Sequence, residues 1–180
     1  MRKLTTKELN RFSIDEFKTA AKIPLVIVLD NIRSQNNIGS VFRTADAFRV
    51  SEIHLCGITA IPPHREIHKT ALGATDSVSW KYFKSTSDSI RELKSAGFKI
   101  CAVEQTTASI PIDKFLPEEN SGYAVIFGNE VQGVAENVIK EVDFCIEIPQ
   151  FGTKHSLNIS VSAGIVIWDL FKKINKVMKM

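Results

Sequence analysis

The sequence predicts an α/β fold in which a parallel sheet is flanked by helices. Three observations carry this. Apolar runs of strand length alternate along the chain with segments of helical period. The runs at 25–29 and 124–127 are continuously apolar rather than alternating, which marks strands covered on both faces. The chain has 180 residues, 44% hydrophobic and 24% charged, enough for one domain with a substantial core. There is no internal repeat, low-complexity tract or linker. Residues 1–180 are therefore read as a single domain, with a basic helical extension over 1–23 and an α/β core over 24–180.

Taken in order, residues 5–22 are expected to form one helix or two short ones. Ser13 is placed to cap it and Glu16 stands three residues later, in capping-box position. Pro24 ends this stretch, and a strand follows over 25–29. The segment 37–48 reads as a helix with Phe42, Ala45 and Phe48 toward the core and Asn37 in the N-cap position. A strand over 53–56 leads to a polar loop with a short helix at 62–74. A helix over 85–96 is stopped by Gly97. Strands are expected at 98–103, 124–127 and 144–148. The last helix runs over 156–174, with Ile159, Ala163, Val166, Leu170 and Ile174 on one stripe. Ser156 is its expected cap and Asn158 stands in its first turn.

Charge is unevenly spread. Residues 1–23 carry a net +3, residues 24–171 a net −4, and residues 172–180 a net +4. Basic ends on an acidic body are weak evidence for a polyanionic partner; lysines closing a terminal helix also suit its dipole. No apolar run is long enough to span a bilayer. The start, Met1-Arg2-Lys3-Leu4, lacks a signal-type apolar stretch, so a cytoplasmic location is expected. Cys56, Cys101 and Cys145 have no CxxC spacing and lie in apolar, strand-like surroundings, the pattern of buried free thiols.

Several chemistries are excluded. No G-x-G-x-x-G follows the first strand. Gly128-Asn-Glu-Val-Gln-Gly133 has P-loop spacing, but Val134 and Ala135 stand where lysine and a hydroxyl residue are needed, and Glu130 repels phosphate. His64-Arg-Glu-Ile-His68 spaces two histidines by four but is not H-E-x-x-H, so no metal site is expected. A middle reading puts His64, Arg65, His68 and Lys69 against phosphates. No Ser/His/Asp set follows from spacing; Ser156 beside His155 is not one.

Three motifs remain, each after a predicted strand. In parallel α/β sheets that edge is where ligands bind. The first is Asn37-Ile-Gly39-Ser-Val-Phe-Arg43-Thr-Ala45-Asp46. Gly39 permits close approach of another segment, and Arg43 either serves a site or pairs with Asp46 one turn on. The second is Phe127-Gly128-Asn-Glu130-Val-Gln-Gly133, where Gly128 leaves room for backbone to approach a ligand. The alternative is a plain turn into a helix near Val134. The third is Ile148-Pro149-Gln-Phe-Gly152-Thr-Lys-His-Ser156-Leu157-Asn158-Ile-Ser160, which ordinary capping also explains.

Together, in this order and spacing, the motifs resemble the SPOUT superfamily, in its SpoU/TrmH-type branch of RNA ribose 2′-O-methyltransferases. The resemblance runs from about Leu25 to the C-terminal helix, and residues 68–74 also look like the family's segment between motifs one and two. It implies a deep C-terminal trefoil knot, which ordinary topology rules would not suggest. It also implies a homodimer and bound S-adenosylmethionine, with no metal. Gly128, Ile148 and Leu157 are the implied cofactor contacts, with Val103 and Glu104 as further candidates. Arg43 takes the central catalytic role, oriented by Asn37 and Glu130, with Ser156 and Asn158 lining the transfer site. Two roles stay open for Arg43: proton acceptor, or electrostatic clamp on phosphate and alkoxide.

The substrate implied is RNA, and the compactness of the chain puts tRNA slightly ahead of rRNA. No separate RNA-binding domain is seen, so Arg2, Lys3 and Arg11 on the basic extension, with His64, Arg65 and Lys69, are the expected RNA contacts. The chain departs from the family at Arg49, where glycine is usual. If the turn there needs a positive φ, a non-glycine costs about 1 kcal/mol; otherwise the turn differs. Gln150 replaces the usual apolar residue after Ile-Pro. The competing readings are a SPOUT enzyme methylating a base nitrogen, a catalytically silent RNA-binding module, and a small-molecule enzyme on a doubly wound sheet.

Overall fold

A computed structural model describes residues 1–5 and 7–178. Seven strands form one wholly parallel sheet: β1 (Ile23–Asp30), β2 (Val50–Cys56), β3 (Trp80–Phe83), β4 (Lys99–Val103), β5 (Ile110–Pro111), β6 (Tyr123–Phe127) and β7 (Phe144–Glu147). Their spatial order is β3-β2-β1-β6-β4-β7-β5. The helices are α1 (Ile14–Thr19), α2 (Gln35–Ala47), α3 (Arg65–Ala71), α4 (Ala74–Ser77), α5 (Thr86–Ser95), α6 (Glu136–Ile139) and α7 (Ile159–Met178).

The alternation along β1 shows why a continuously apolar run is needed. Leu25, Ile27 and Leu29 join a cluster with Val41 and Phe42 of α2, Ile67 of α3 and Val166 and Leu170 of α7. Val26 and Val28 join the opposite cluster, with Ile90 and Leu93 of α5 and Val138 of α6. A strand with two buried faces has no polar side. The predicted stripe of α7 is buried at all five positions. Gly39 is the contact point of α2 with α3: a Cβ there would overlap Thr70 Oγ1 and the Ile67 carbonyl. The three cysteines are buried and free. Burial pushes the Cys56 thiol up to about 12 and also raises Cys101 and Cys145.

Several expectations are corrected. Asn37 is not the N-cap of α2. Ser34 is, its Oγ accepting the Asn37 N–H at 3.3 Å, because the helix starts at Gln35. Ser156 does not cap α7. The helix starts at Ile159, and Asn158 sits before it with Oδ1 accepting the Ser160 N–H at 2.8 Å. Pro24 does not end a helix but lies inside β1, beside a shift in register between Ile23 and Val26 that tolerates its missing N–H. Of the two forms expected for the basic extension, two short elements occur rather than one helix. A 3-10 turn (Lys7–Leu9) and the six-residue α1 share the extension, α1 closed by the predicted Ser13–Glu16 capping box. Strands β3 and β5 were not foreseen. Among the described residues, no helix is long and apolar enough to cross a membrane.

Candidate active site

The segments leaving β1, β6 and β7 converge at the carboxyl edge of the sheet. A cleft of about 590 Å³ opens there, lined by Val103–Gln105, Phe127–Val134, Glu147, Ile148, Gln150, His155–Ile159 and Ser162. It includes all five expected cofactor contacts: Gly128, Ile148, Leu157, Val103 and Glu104.

Each wall is fixed by local hydrogen bonds. In the β6 loop, Asn129 Oδ1 accepts the Val131 N–H at 2.9 Å, and the Gly133 N–H returns to the Asn129 carbonyl at 2.8 Å. Asn129 Nδ2 ties the loop to the Asn31 carbonyl at 2.7 Å. Glu104, at the end of β4, accepts the Val134 N–H at 3.0 Å. A Cβ at Gly128 would overlap the backbone of Gly133 and Val134, so the loop's own closure already requires glycine there.

The three motifs are joined by side chains. Asn158 Oδ1 is held by the Ser160 N–H and hydroxyl, which turns Nδ2 outward to donate to Asn37 Oδ1 at 3.2 Å. Asn37 Nδ2 in turn donates to Glu130 Oε1 at 3.3 Å. The Glu130 carboxylate also accepts the N–H groups of Arg33 and Ser34, both at 3.1 Å, on the loop entering α2. Partial burial works against its charge. The backbone donors and Asn37 outweigh that and hold the carboxyl below its usual range.

Ser156 and Asn158 line the cleft. Arg43 does not. It lies on the exposed face of α2, about two turns past Asn37. Among the described residues it has no ion-pair partner; Asp46 instead accepts the Ser77 hydroxyl at 2.5 Å. Nor does Glu130 contact it, so the orienting contact expected of Asn37 and Glu130 is directed elsewhere, to the start of α2. Of the expected RNA contacts, Arg2, Lys3 and Arg11 are exposed on the N-terminal extension, Arg2 paired with Glu8. His64, Arg65 and Lys69 are exposed at α3.

Sequence reasoning missed Asn129 and Glu147 in the cleft. Asn129 was legible as a turn-forming residue between Gly128 and Glu130; Glu147, at the end of β7, carries no local signal. One further cluster resembles a catalytic row: His54 bonds Ser89 Oγ at 2.7 Å and Glu52 at 2.9 Å. Both His54 and Ser89 are fully buried between β2 and α5, so no substrate reaches them and the row is part of the core. No cluster of three or more metal-ligating side chains occurs among the described residues.

The match to known proteins follows this geometry. The SpoU rRNA methylase family model aligns with residues 24–168. The chain belongs to this family. The SpoU-family relatives include a Staphylococcus epidermidis protein assigned to the TrmH family of tRNA/rRNA methyltransferases, 31% identical over 89% of this chain and 65% of its own length. The 23S rRNA (guanosine-2'-O-)-methyltransferase RlmB of Neisseria meningitidis is 31% identical over 85% of this chain and 60% of its own. The chain thus spans somewhat under two thirds of these relatives. Among solved structures, the A. aeolicus TrmH/SpoU tRNA modifying enzyme shares the fold at TM-score 0.80, with 24% identity over 94% of this chain and 84% of that one. The AdoMet-bound rRNA methyltransferase of Sinorhizobium meliloti superposes at 0.77, with 26% identity over 90% and 61%.

Proposed function

We propose that the chain is an S-adenosylmethionine-dependent RNA methyltransferase acting on a ribose 2′-hydroxyl, tRNA ahead of rRNA, as a cytoplasmic homodimer without a metal. The observation that carries this is the bonded chain Asn158–Asn37–Glu130, which draws three sequence-distant motifs to the mouth of one cleft. The cleft fits the cofactor. Its volume lies within the roughly 300–1,000 Å³ of small-molecule sites. Val103, Ile148 and Leu157 offer an apolar wall for an adenine, while Glu104, Glu130 and Glu147 suit a cationic ligand and disfavour a polyphosphate.

When bound, the cofactor supplies a sulfonium methyl, so the chain need only position and deprotonate the hydroxyl. Glu130 fixes the start of α2, and with it Asn37 and the helix that carries Arg43. Asn37 and Asn158 hold each other's amides in one orientation at the cleft mouth. Arg43, with no carboxylate partner among the described residues, is free to grip a backbone phosphate and stabilise a developing alkoxide. An apolar row on α7, Val161, Ile165 and Trp168 at i, i+4 and i+7, is exposed and supports the homodimer.

The test is labelled methyl transfer to total RNA from a strain lacking the gene, followed by digestion to nucleosides. A ribose-methylated nucleoside is expected. A base-methylated product overturns the ribose assignment, and cofactor binding without transfer to any RNA points to a silent binding module.

A further inference from the structure

A second cleft, of about 540 Å³, lies beyond α3 at the β3 edge of the sheet, and it shares no lining residue with the first. Its residues are Pro62, Pro63, His64, Arg65, Ile67, His68, Thr75, Asp76 and Trp80. The composition is divided. Pro62, Pro63, Ile67 and the half-buried Trp80 make an apolar side. His64, Arg65 and His68 are exposed at its rim.

We propose that this cleft holds an unpaired nucleotide of the RNA substrate, its base against Trp80 and its phosphate at Arg65. The inference rests on the RNA reading above. Single-stranded RNA is bound by stacking bases on aromatic side chains while cations meet the backbone, and this cleft supplies both. The cations are available. Arg65 and Lys69 share the single carboxylate of Glu66 at 3.9 and 3.8 Å, separations at which exposed pairs hold each other weakly.

His64 is also oriented. Its Nδ1 accepts the Glu66 N–H at 3.2 Å, which puts the proton of the neutral ring on Nε2 as an outward donor. Thr75 and Asp76 add polar groups for a base edge.

The second cleft stands in fixed register with the first. Thr70 of α3 donates to the Asn36 carbonyl at 3.0 Å, one residue before Asn37, and Gly39 brings the two helices into contact. A nucleotide seated at α3 is thereby held at a set offset from the Asn37 site. The cleft would thus select RNA in which a base near the methylated ribose is unpaired.

The chain has two tryptophans, so Trp168→Phe leaves Trp80 as the sole reporter. This full-length variant is titrated with oligouridylate and oligoadenylate of about ten nucleotides and with a duplex of equal length. Saturable quenching of Trp80 by the single strands is expected, with the duplex at least tenfold weaker. Arg65→Glu, a change at an exposed side chain, is expected to weaken single-strand binding about tenfold, with cofactor affinity by calorimetry unchanged.

Unchanged Trp80 emission while the anisotropy of labelled oligonucleotide shows binding overturns the proposal, as does equal quenching by single strand and duplex. Methyl transfer to total RNA is measured on the wild-type chain, because Trp168 lies on the face proposed for the homodimer. Transfer without Trp80 quenching sinks this inference alone; absence of both transfer and RNA binding sinks the enzymatic reading too.

Discussion

Glu130 closes the start of the helix that carries Asn37. Its carboxylate accepts the N–H groups of Arg33 and Ser34 and the Asn37 side-chain amide, 93 residues back along the chain. One acidic side chain thus ties the β6 loop to the first turn of α2, where helix N–H groups lack partners and a negative charge is favoured.

Replacing Glu130 by Gln puts an amide donor where three donors converge. The expected loss is about 1 kcal/mol at pH 7, below the roughly 1.5–3 kcal/mol of charged hydrogen bonds because the site is solvent-accessible. The pH dependence has a definite sign. The folded carboxyl lies below its ordinary value because backbone and Asn37 hydrogen bonds overcome the cost of burial. Its stabilisation is therefore complete above about pH 4.3 and is lost as pH falls through the lower folded value. Urea midpoints measured from pH 7 down to 3 should fall more steeply for the wild type than for Glu130→Gln. Parallel curves would show that the carboxylate contributes nothing through ionisation.

Gly128→Ala tests the closure of the same loop. The added methyl would meet the backbone of Gly133 and Val134, which cannot rotate away as a side chain can. The loop must open, at a cost of about 1–3 kcal/mol, and the cleft wall from Gly128 to Val134 moves with it. Calorimetry should show at least a tenfold loss of S-adenosylmethionine affinity. Wild-type affinity would mean that this wall does not touch the cofactor.

The fold was largely legible because both-face burial leaves continuous apolar runs, as at β1 and β6. Strand β3 hid because Lys81 and Tyr82, on opposite faces, are both exposed at the sheet's edge, and β5 because two residues leave no periodicity. The cap assignments failed for a shared reason. Asn37 and Asn158 are both good capping residues, but Ser34 supplies the cap of α2, which frees the Asn37 side chain to meet Asn158 and Glu130. Local rules cannot see a partner 121 residues away. The cleft was legible because its residues follow directly on strands β4, β6 and β7. The exposed position of Arg43 outside the cleft was not, since spacing gives a residue's turn of the helix and not which neighbours cover it.

Arg49 keeps a backbone conformation that suits glycine. Its φ is 52°, and its N–H bonds the Asp46 carbonyl while its own carbonyl accepts the Ile23 N–H. The turn is thus retained despite the side chain. The left-handed region costs a non-glycine about 1–2 kcal/mol, offset in part by glycine's greater freedom when unfolded. Burial lowers the Lys22 amine, and like-charge repulsion from Arg49 lowers it further. Arg49→Gly is expected to stabilise the fold by about 0.5–1 kcal/mol, raising Tm by about 1–3 °C. A fall in Tm would show that the Arg49 side chain makes contacts worth more than the strain.

Arg43 offers the sharpest separation of function from structure. It is exposed, lines no wall of the 590 Å³ cleft and has no carboxylate partner among the described residues. Nothing in the fold therefore requires its charge, and Arg43→Ala should leave stability within about 0.5 kcal/mol. Removing a group that stabilises transition-state charge costs about 10²–10³ in rate. Single-turnover methyl transfer at saturating RNA should fall by that factor, with S-adenosylmethionine affinity unchanged. Arg43→Lys separates the two roles open to the guanidinium. Lysine keeps the charge but loses the planar fork that grips phosphate with two parallel bonds. A clamp predicts that Arg43→Lys is nearly as slow as Arg43→Ala and that its rate stays level with pH. A proton acceptor predicts recovery of the lysine variant as pH rises and its amine becomes neutral. Wild-type rates in Arg43→Ala on native RNA would remove Arg43 from the mechanism altogether.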